Sequence, residues 1–177
     1  TKELIFPVSR LVCDPERFLD DSEEPAAKFG MGVFYTHGTE GQLIRRQDTH
    51  SRQKLMERFF EPHHRKLTEM VSETLHNFGR CLVLDCHSFP ENPLPTDSQD
   101  SGDRPDVCLG FDSYHCSERL VAGIKQALSN EGFSVSVNTP DAGARIPHDY
   151  VGKKKAGWGV MGEGKRRIDR NEAKVTK

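Results

Sequence analysis

No apolar run in this 177-residue chain approaches the roughly 20 residues that cross a bilayer, so the sequence offers no spanning helix. It opens on Thr-Lys-Glu-Leu-Ile-Phe, with no basic segment leading into a hydrophobic one and thus no signal-peptide pattern. An initiator Met is also missing, and the first residues sit almost inside a strand-like run. The expectation is that an upstream part has been removed. An excess of one charge sign is lacking too. Lys and Arg number 25 and Asp and Glu 27, for a net charge of -2. With a pI near 6.4, nothing points electrostatically to nucleic acid or to an anionic membrane.

Cysteine is sparse and unpatterned: Cys13, Cys81, Cys86, Cys108 and Cys116 are odd in number and contain no C-x-x-C. Three of them lie in or beside apolar, strand-like runs, where Cys behaves as a small hydrophobe. This argues against a disulfide framework and a zinc ribbon, and the expectation is a reducing, cytoplasmic setting. Neither G-x-S-x-G nor a P-loop occurs, which ranks a metal-independent amidase or phosphatase using another nucleophile last. Hydrophobic residues make up only 34%. The mean hydropathy of -0.67 is low for a globular enzyme. The length still suffices for one domain with a real core.

Within that polar background, short patterned segments stand out. Leu4–Val8 is β-like, and residues 30–36 (Gly-Met-Gly-Val-Phe-Tyr-Thr) read as a second strand. Residues 52–78 carry helical periodicity through Leu55, Phe59, Leu67, Met70, Val71, Leu75 and Phe78. Pro62 is expected to break or kink that helix, and Gly79 to stop it. Cys81–Asp85 is an apolar strand, and residues 89–105 form a Pro-, Asp-, Ser- and Gly-rich loop. Asp106–Gly110 is a further strand. Ser117–Asn130 fits an amphipathic helix with Leu120, Ile124 and Leu128 on one face, ended by Gly132. Residues 133–137 alternate as a strand closed by Asn138-Thr139-Pro140. The order β-β-α-β-β-α-β suggests a layered α/β sheet. Residues 144–177 look like a polar, weakly patterned tail anchored by Trp158, Val160 and Met161.

The most informative stretch is Cys81-Leu-Val-Leu-Asp85-Cys-His87-Ser-Phe-Pro90. Alternation along a strand puts Asp85 and His87 on one face, about 7 Å apart along it. Ligands of open α/β sheets bind past the carboxyl ends of strands, and an imidazole held by a carboxylate there is a typical zinc ligand. The bland alternative is a strand-end histidine hydrogen-bonded to its neighbour. Arg10 and Arg17 flank a turn in Ser9-Arg10-Leu-Val-Cys-Asp14-Pro-Glu16-Arg17 and would suit an anionic substrate. On spacing alone they are as well read as surface arginines paired with Asp14, Glu16 or Asp20. Pro62-His63-His64 can send at most one imidazole to a given site. His37-Gly-Thr-Glu40 has a spacing that can serve a metal, and with His87 would supply three ligands. Glu163, closing an apolar strand, could act as a general base, but composition gives it no weight among 27 acidic residues.

Together, and in this order, these segments resemble the N-formylglutamate amidohydrolase family, relatives of the zinc carboxypeptidases and aspartoacylase. Ser9-Arg10 through Asp14-Pro-Glu16-Arg17-Phe18 is similar to the family's S-R-x-x-x-D-x-N-R-F. Gly30–Tyr35, Pro62-x-His64 and Asp85-Cys-His87-Ser88-Phe89 follow where it has G-x-G-x-x-Y, P-Y-H and D-x-H-S-F. Pro105–Gly110 and Asn138-Thr139-Pro140-x-x-Gly143 match two further blocks, and Met161-x-Glu163-x-x-Arg166 resembles the closing M-x-E-x-N-R. The resemblance covers nearly the whole chain. It implies a single domain over residues 1–177, of α/β/α layers around a central mixed sheet, phosphorylase/hydrolase-like.

What the resemblance implies chemically is a zinc-dependent hydrolase acting on the N-acyl amide of a small acidic substrate. His87 would be a zinc ligand, oriented by Asp85, and Glu163 would activate water. Arg10 would stabilise the oxyanion or bind substrate, with Arg17 and Arg166 gripping carboxylates and His64 and Asp14 supporting the site. The family's first two metal ligands precede the S-R segment, before this chain begins, so truncation is favoured over replacement by His37 and Glu40. Glu16 and Lys165 stand where the family has Asn, and Arg145, His148, Asp169 and Arg170 where it is apolar. The competing expectation is a truncated or degenerate, non-catalytic domain that binds an anion or a partner. Zinc content separates the two.

Overall fold

The computed structural model describes residues 1–46, 48–95, 104–140, 142–144, 146–147 and 157–168. Arg145, His148, Asp169 and Arg170 lie outside them. The chain forms two compact units, residues 1–72 and residues 73–177.

Among its described residues the first unit has no strand. Leu4–Val8 has the alternating exposure of a β segment, but no ladder partner meets it among the described residues. Residues 31–35 are also not a strand. All five are buried, and the backbone bends rather than pairing. The cause is local. Gly30 adopts a left-handed φ of 73°, and its carbonyl accepts from the N–H groups of Thr36 (2.8 Å) and His37 (3.2 Å). That folds the segment into a buried loop, pinned where the Asp14 N–H donates to the Val33 carbonyl at 2.7 Å. Cys13, Val33, Phe34 and Phe60 make the core, with Phe6, Leu55, Met56 and Phe59 packed on it.

The helical periodicity resolves into α1 (Thr49–Leu55), a π-helical turn (Met56–Phe60) and α2 (Glu61–Phe78). Pro62 therefore does not interrupt a helix in its middle. It sits in the first turn of α2, where its missing N–H costs little, and the irregularity is displaced into the π turn before it. Gly79 stops α2 as expected, at a left-handed φ of 68°.

The second unit holds a four-stranded mixed sheet in the order β1-β4-β2-β3. The strands are β1 (Cys81–Phe89), β2 (Val107–Gly110), β3 (Val135–Val137) and β4 (Gly157–Lys165), with α3 (Glu118–Asn130) between β2 and β3. Ser117 caps α3, its hydroxyl accepting from Leu120 N–H at 3.3 Å. The expected α/β class with a mixed sheet is what forms. The tail reading needs correction, because residues 157–165 supply an interior strand rather than a solvated end. Four glycines interrupt its apolar pattern, so local propensity is poor and pairing with β1 and β2 sustains it.

The sheet has two unlike faces. Val107, Leu109, Val135, Val137 and Val160 pack against Leu120, Val121, Ile124 and Leu128 of α3. The opposite face carries Asp85, His87, Glu163 and Lys165, because register and alternation place them together. No helix among the described residues is long and apolar enough to cross a membrane.

Candidate active site

In the second unit the site grows from the parallel pairing of β1 with β4. The register matches Asp85 with Met161 and His87 with Glu163. Partners on adjacent parallel strands project to the same side about 4.8 Å apart, so the His87 imidazole and the Glu163 carboxylate share one edge. Asp85 lies one pleat back. The His87 Nε2–H donates to Asp85 Oδ1 at 2.7 Å, and both side chains are mostly buried. Asp85 thus fixes the orientation of the ring. The bland reading of the D-x-H pair, a histidine bonded to its neighbour, describes the same geometry. Such bonding is also how a metal-ligating histidine is held.

Arg166 follows directly on β4 and is tied back to β1. Its Nε reaches Ser88 Oγ at 3.4 Å and an Nη reaches the Ser88 carbonyl at 3.3 Å. Asp85, His87, Ser88, Glu163 and Arg166 therefore gather at the carboxyl ends of two parallel strands. Such strand ends are the usual ligand position in open α/β sheets.

In the first unit Asp14 is the centre of a separate constellation. It is wholly buried, and its Oδ2 lies 2.9 Å from Arg10 Nε, 3.3 Å from Arg17 Nε and 2.9 Å from the donating Tyr35 hydroxyl. Its Oδ1 accepts from Glu16 N–H at 3.0 Å. Arg17 also reaches Tyr35 Oη at 3.3 Å and Glu24 Oε1 at 3.6 Å. Burial works against the charge on Arg10 and Arg17. Ionic and hydrogen-bonding partners outweigh it: chiefly Asp14 for Arg10, and Tyr35 ahead of Asp14 for Arg17. Both stay above the ordinary guanidinium value. His64 supports the same turn, its Nε2–H donating to the Pro15 carbonyl at 3.0 Å while its ring packs on Phe60. His63 turns elsewhere, edge-on to Phe6. His37 lies 2.9 Å from Thr36 Oγ1, and it and Glu40 join no cluster of three metal-binding side chains among the described residues.

Three residues of these constellations were not among the sequence candidates. Tyr35 and Glu24 share the partners of Asp14, and Ser88 anchors Arg166. Tyr35 was legible as part of an apolar run and as the close of the G-x-G-x-x-Y block, but nothing local links it to a residue 21 positions earlier.

The buried first unit gives a testable pH response. Burial, and secondarily the Asp14 charge, pushes the Cys13 thiol from 9.0 up to about 12. Burial likewise raises the Tyr35 phenol above 10.0. Both groups are neutral when protonated, so the unfolded chain ionises first. Stability is fully present below pH 9 and falls as pH rises towards 12. Urea midpoints should therefore drop between about pH 9 and 11, and less steeply in Cys13→Ala. Identical profiles for the two proteins would remove Cys13 from the account.

A mixed α/β sheet with a carboxylate-held imidazole beside a glutamate, at the ends of parallel strands, defines an α/β protein with a polar cluster at its sheet edge. The family model for N-formylglutamate amidohydrolase matches residues 1–166, and the chain belongs to that family. It is similar to N-formylglutamate amidohydrolase from Ralstonia eutropha JMP134, at 24% identity and a TM-score of 0.76, covering 92% of this chain and 67% of that one. It is also similar to a gene product of Agrobacterium tumefaciens, at 20% identity and a TM-score of 0.64, covering 93% of this chain and 60% of that one. The chain thus spans about two thirds of the length of the solved structures it resembles. No curated protein matches it in sequence.

Proposed function

We propose that the chain is a zinc-dependent amidohydrolase that cleaves the N-acyl amide of a small acidic substrate of the N-formylglutamate type. The observation that carries this reading is the β1–β4 register, which sets Glu163 opposite His87 while Asp85 holds the imidazole. Of the three or four protein ligands that zinc takes, His87 would be one, and Asp85 would orient it as carboxylates orient zinc-binding histidines. Zinc, when bound, supplies a Lewis acid that polarises the amide carbonyl and acidifies water.

The chain's own groups do the remainder. Glu163 accepts a proton from water as the water oxygen bonds to the acyl carbon. It then returns that proton to the departing nitrogen, so that the C–N bond breaks to a carboxylic acid and a free amine. Arg166, anchored on Ser88, presents a planar fork suited to a substrate carboxylate. Arg10, nearly half exposed while bonded to buried Asp14, keeps donors turned to solvent for an anion.

The test is release of free amine from N-formyl-L-glutamate, read together with zinc content, for the native chain and for His87→Ala. About one zinc per chain and turnover are expected in the native protein, both lost in the variant. Absence of zinc and turnover in the native chain would overturn the reading and leave a non-catalytic family member.

A further inference from the structure

We propose that Tyr35 is a positioning residue: its hydroxyl takes the place on Asp14 that Arg17 would otherwise take, which keeps the two guanidinium groups apart and Arg10 aimed at solvent. This deepens the hydrolytic reading and rests on it in one respect, that Arg10 meets an anionic group of the substrate. The argument is a count of lone pairs. A carboxylate oxygen has about two, and Asp14 Oδ2 fills them with Arg10 Nε at 2.9 Å and the Tyr35 hydroxyl at 2.9 Å. Arg17 Nε stands 3.3 Å from the same oxygen, buried, and has no hydrogen-bond partner among the described residues. Its attraction to Asp14 is ionic, without an aligned bond.

The direction of the bonds is fixed by chemistry. A guanidinium can only donate, so Arg17 Nη2, at 3.3 Å, makes Tyr35 Oη an acceptor. The single hydroxyl proton then goes to Asp14. Burial pushes the phenol above its ordinary value, so that proton stays in place at neutral pH. Arg17 is thereby held at one remove from Asp14, with Glu24 Oε1 3.6 Å from its Nη1. Arg10 uses the same carboxylate differently. Its Nε is bonded, nearly half of its side chain lies in solvent, and its Nη groups meet no acceptor among the described residues. Without the Tyr35 hydroxyl, a lone pair of Oδ2 opens and Arg17 Nε is close enough to fill it. Two like charges then share one oxygen, and their repulsion loosens Arg10. One hydrogen bond replaces another, so stability changes little while the aim of Arg10 changes.

Tyr35→Phe tests this, since it keeps the ring and removes only the oxygen. For release of amine from N-formyl-L-glutamate, kcat/KM is expected to fall about tenfold with the urea midpoint close to native. A merely structural tyrosine would lower the midpoint and leave kcat/KM alone. An unchanged kcat/KM in an active chain overturns the proposal. A second readout needs no turnover: the Nε–H resonance of Arg17 in isotope-labelled protein, assigned by its disappearance in Arg17→Lys. In Tyr35→Phe that proton gains Asp14 as acceptor, so its signal is expected to move downfield and exchange more slowly with water. If the native chain turns over no substrate, the hydrolytic reading fails and this signal decides alone. An Arg17 resonance unchanged by Tyr35→Phe overturns the positioning role.

Discussion

Glu163→Gln is expected to lower kcat for amide hydrolysis by about 10² to 10⁴-fold while KM and zinc content stay close to native. The substitution keeps the shape of the side chain and its hydrogen-bonding reach but removes the proton-accepting charge. The magnitude follows from position: Glu163 is the register partner of His87 on the neighbouring parallel strand, on the polar face of the sheet. A group there can serve a water molecule beside the imidazole. A merely structural carboxylate would instead show up as a lowered unfolding midpoint with kcat largely intact. The split between kcat and KM, with zinc measured on the same sample, tells the two apart. Loss of zinc in Glu163→Gln would make the residue a ligand, and the assignment of the proton shuttle would fail.

Asp14→Ala is expected to cost about 3 kcal/mol of folding stability, the low end for breaking a buried ion pair. The side chain is wholly buried and takes Arg10, Arg17 and the Tyr35 hydroxyl on one oxygen and the Glu16 N–H on the other. Removing it leaves a buried phenol and a mostly buried guanidinium without their acceptor. Arg10 is nearly half exposed and can turn to water, which keeps the cost from rising further. Asp14→Asn retains an oxygen for Glu16 N–H but loses the charge, and roughly 2 kcal/mol is expected. Urea unfolding gives both values, with the slope unchanged if only stability moves. A shift below about 1 kcal/mol for the alanine variant would mean that the two arginines are held by solvent and Glu24 rather than by Asp14.

The sequence alone carried the elements whose information is local. Alternation and apolar runs marked β1, β2 and β3, the 3.6-residue period and Ser117 marked α3, and Gly79 marked the end of α2. The D-x-H pair was legible because a strand's period of two puts Asp85 and His87 on one face wherever the strand goes. The motif order was enough to indicate the family, since several short blocks in a fixed succession are far more specific than any one.

Tertiary structure decided what depends on distant partners. Residues 31–35 are as apolar as a strand, yet the left-handed turn at Gly30 and the bond from Asp14 to Val33 make them a buried loop. Residues 157–165 look like a solvated tail, with a glycine at four of their nine positions, yet β1 and β2 on either side supply the ladder that composition does not promise. Tyr35 meets Asp14, and Glu163 meets His87, only through folding. No local period connects positions 21 or 76 residues apart, because such contacts are set by register and packing and not by propensity.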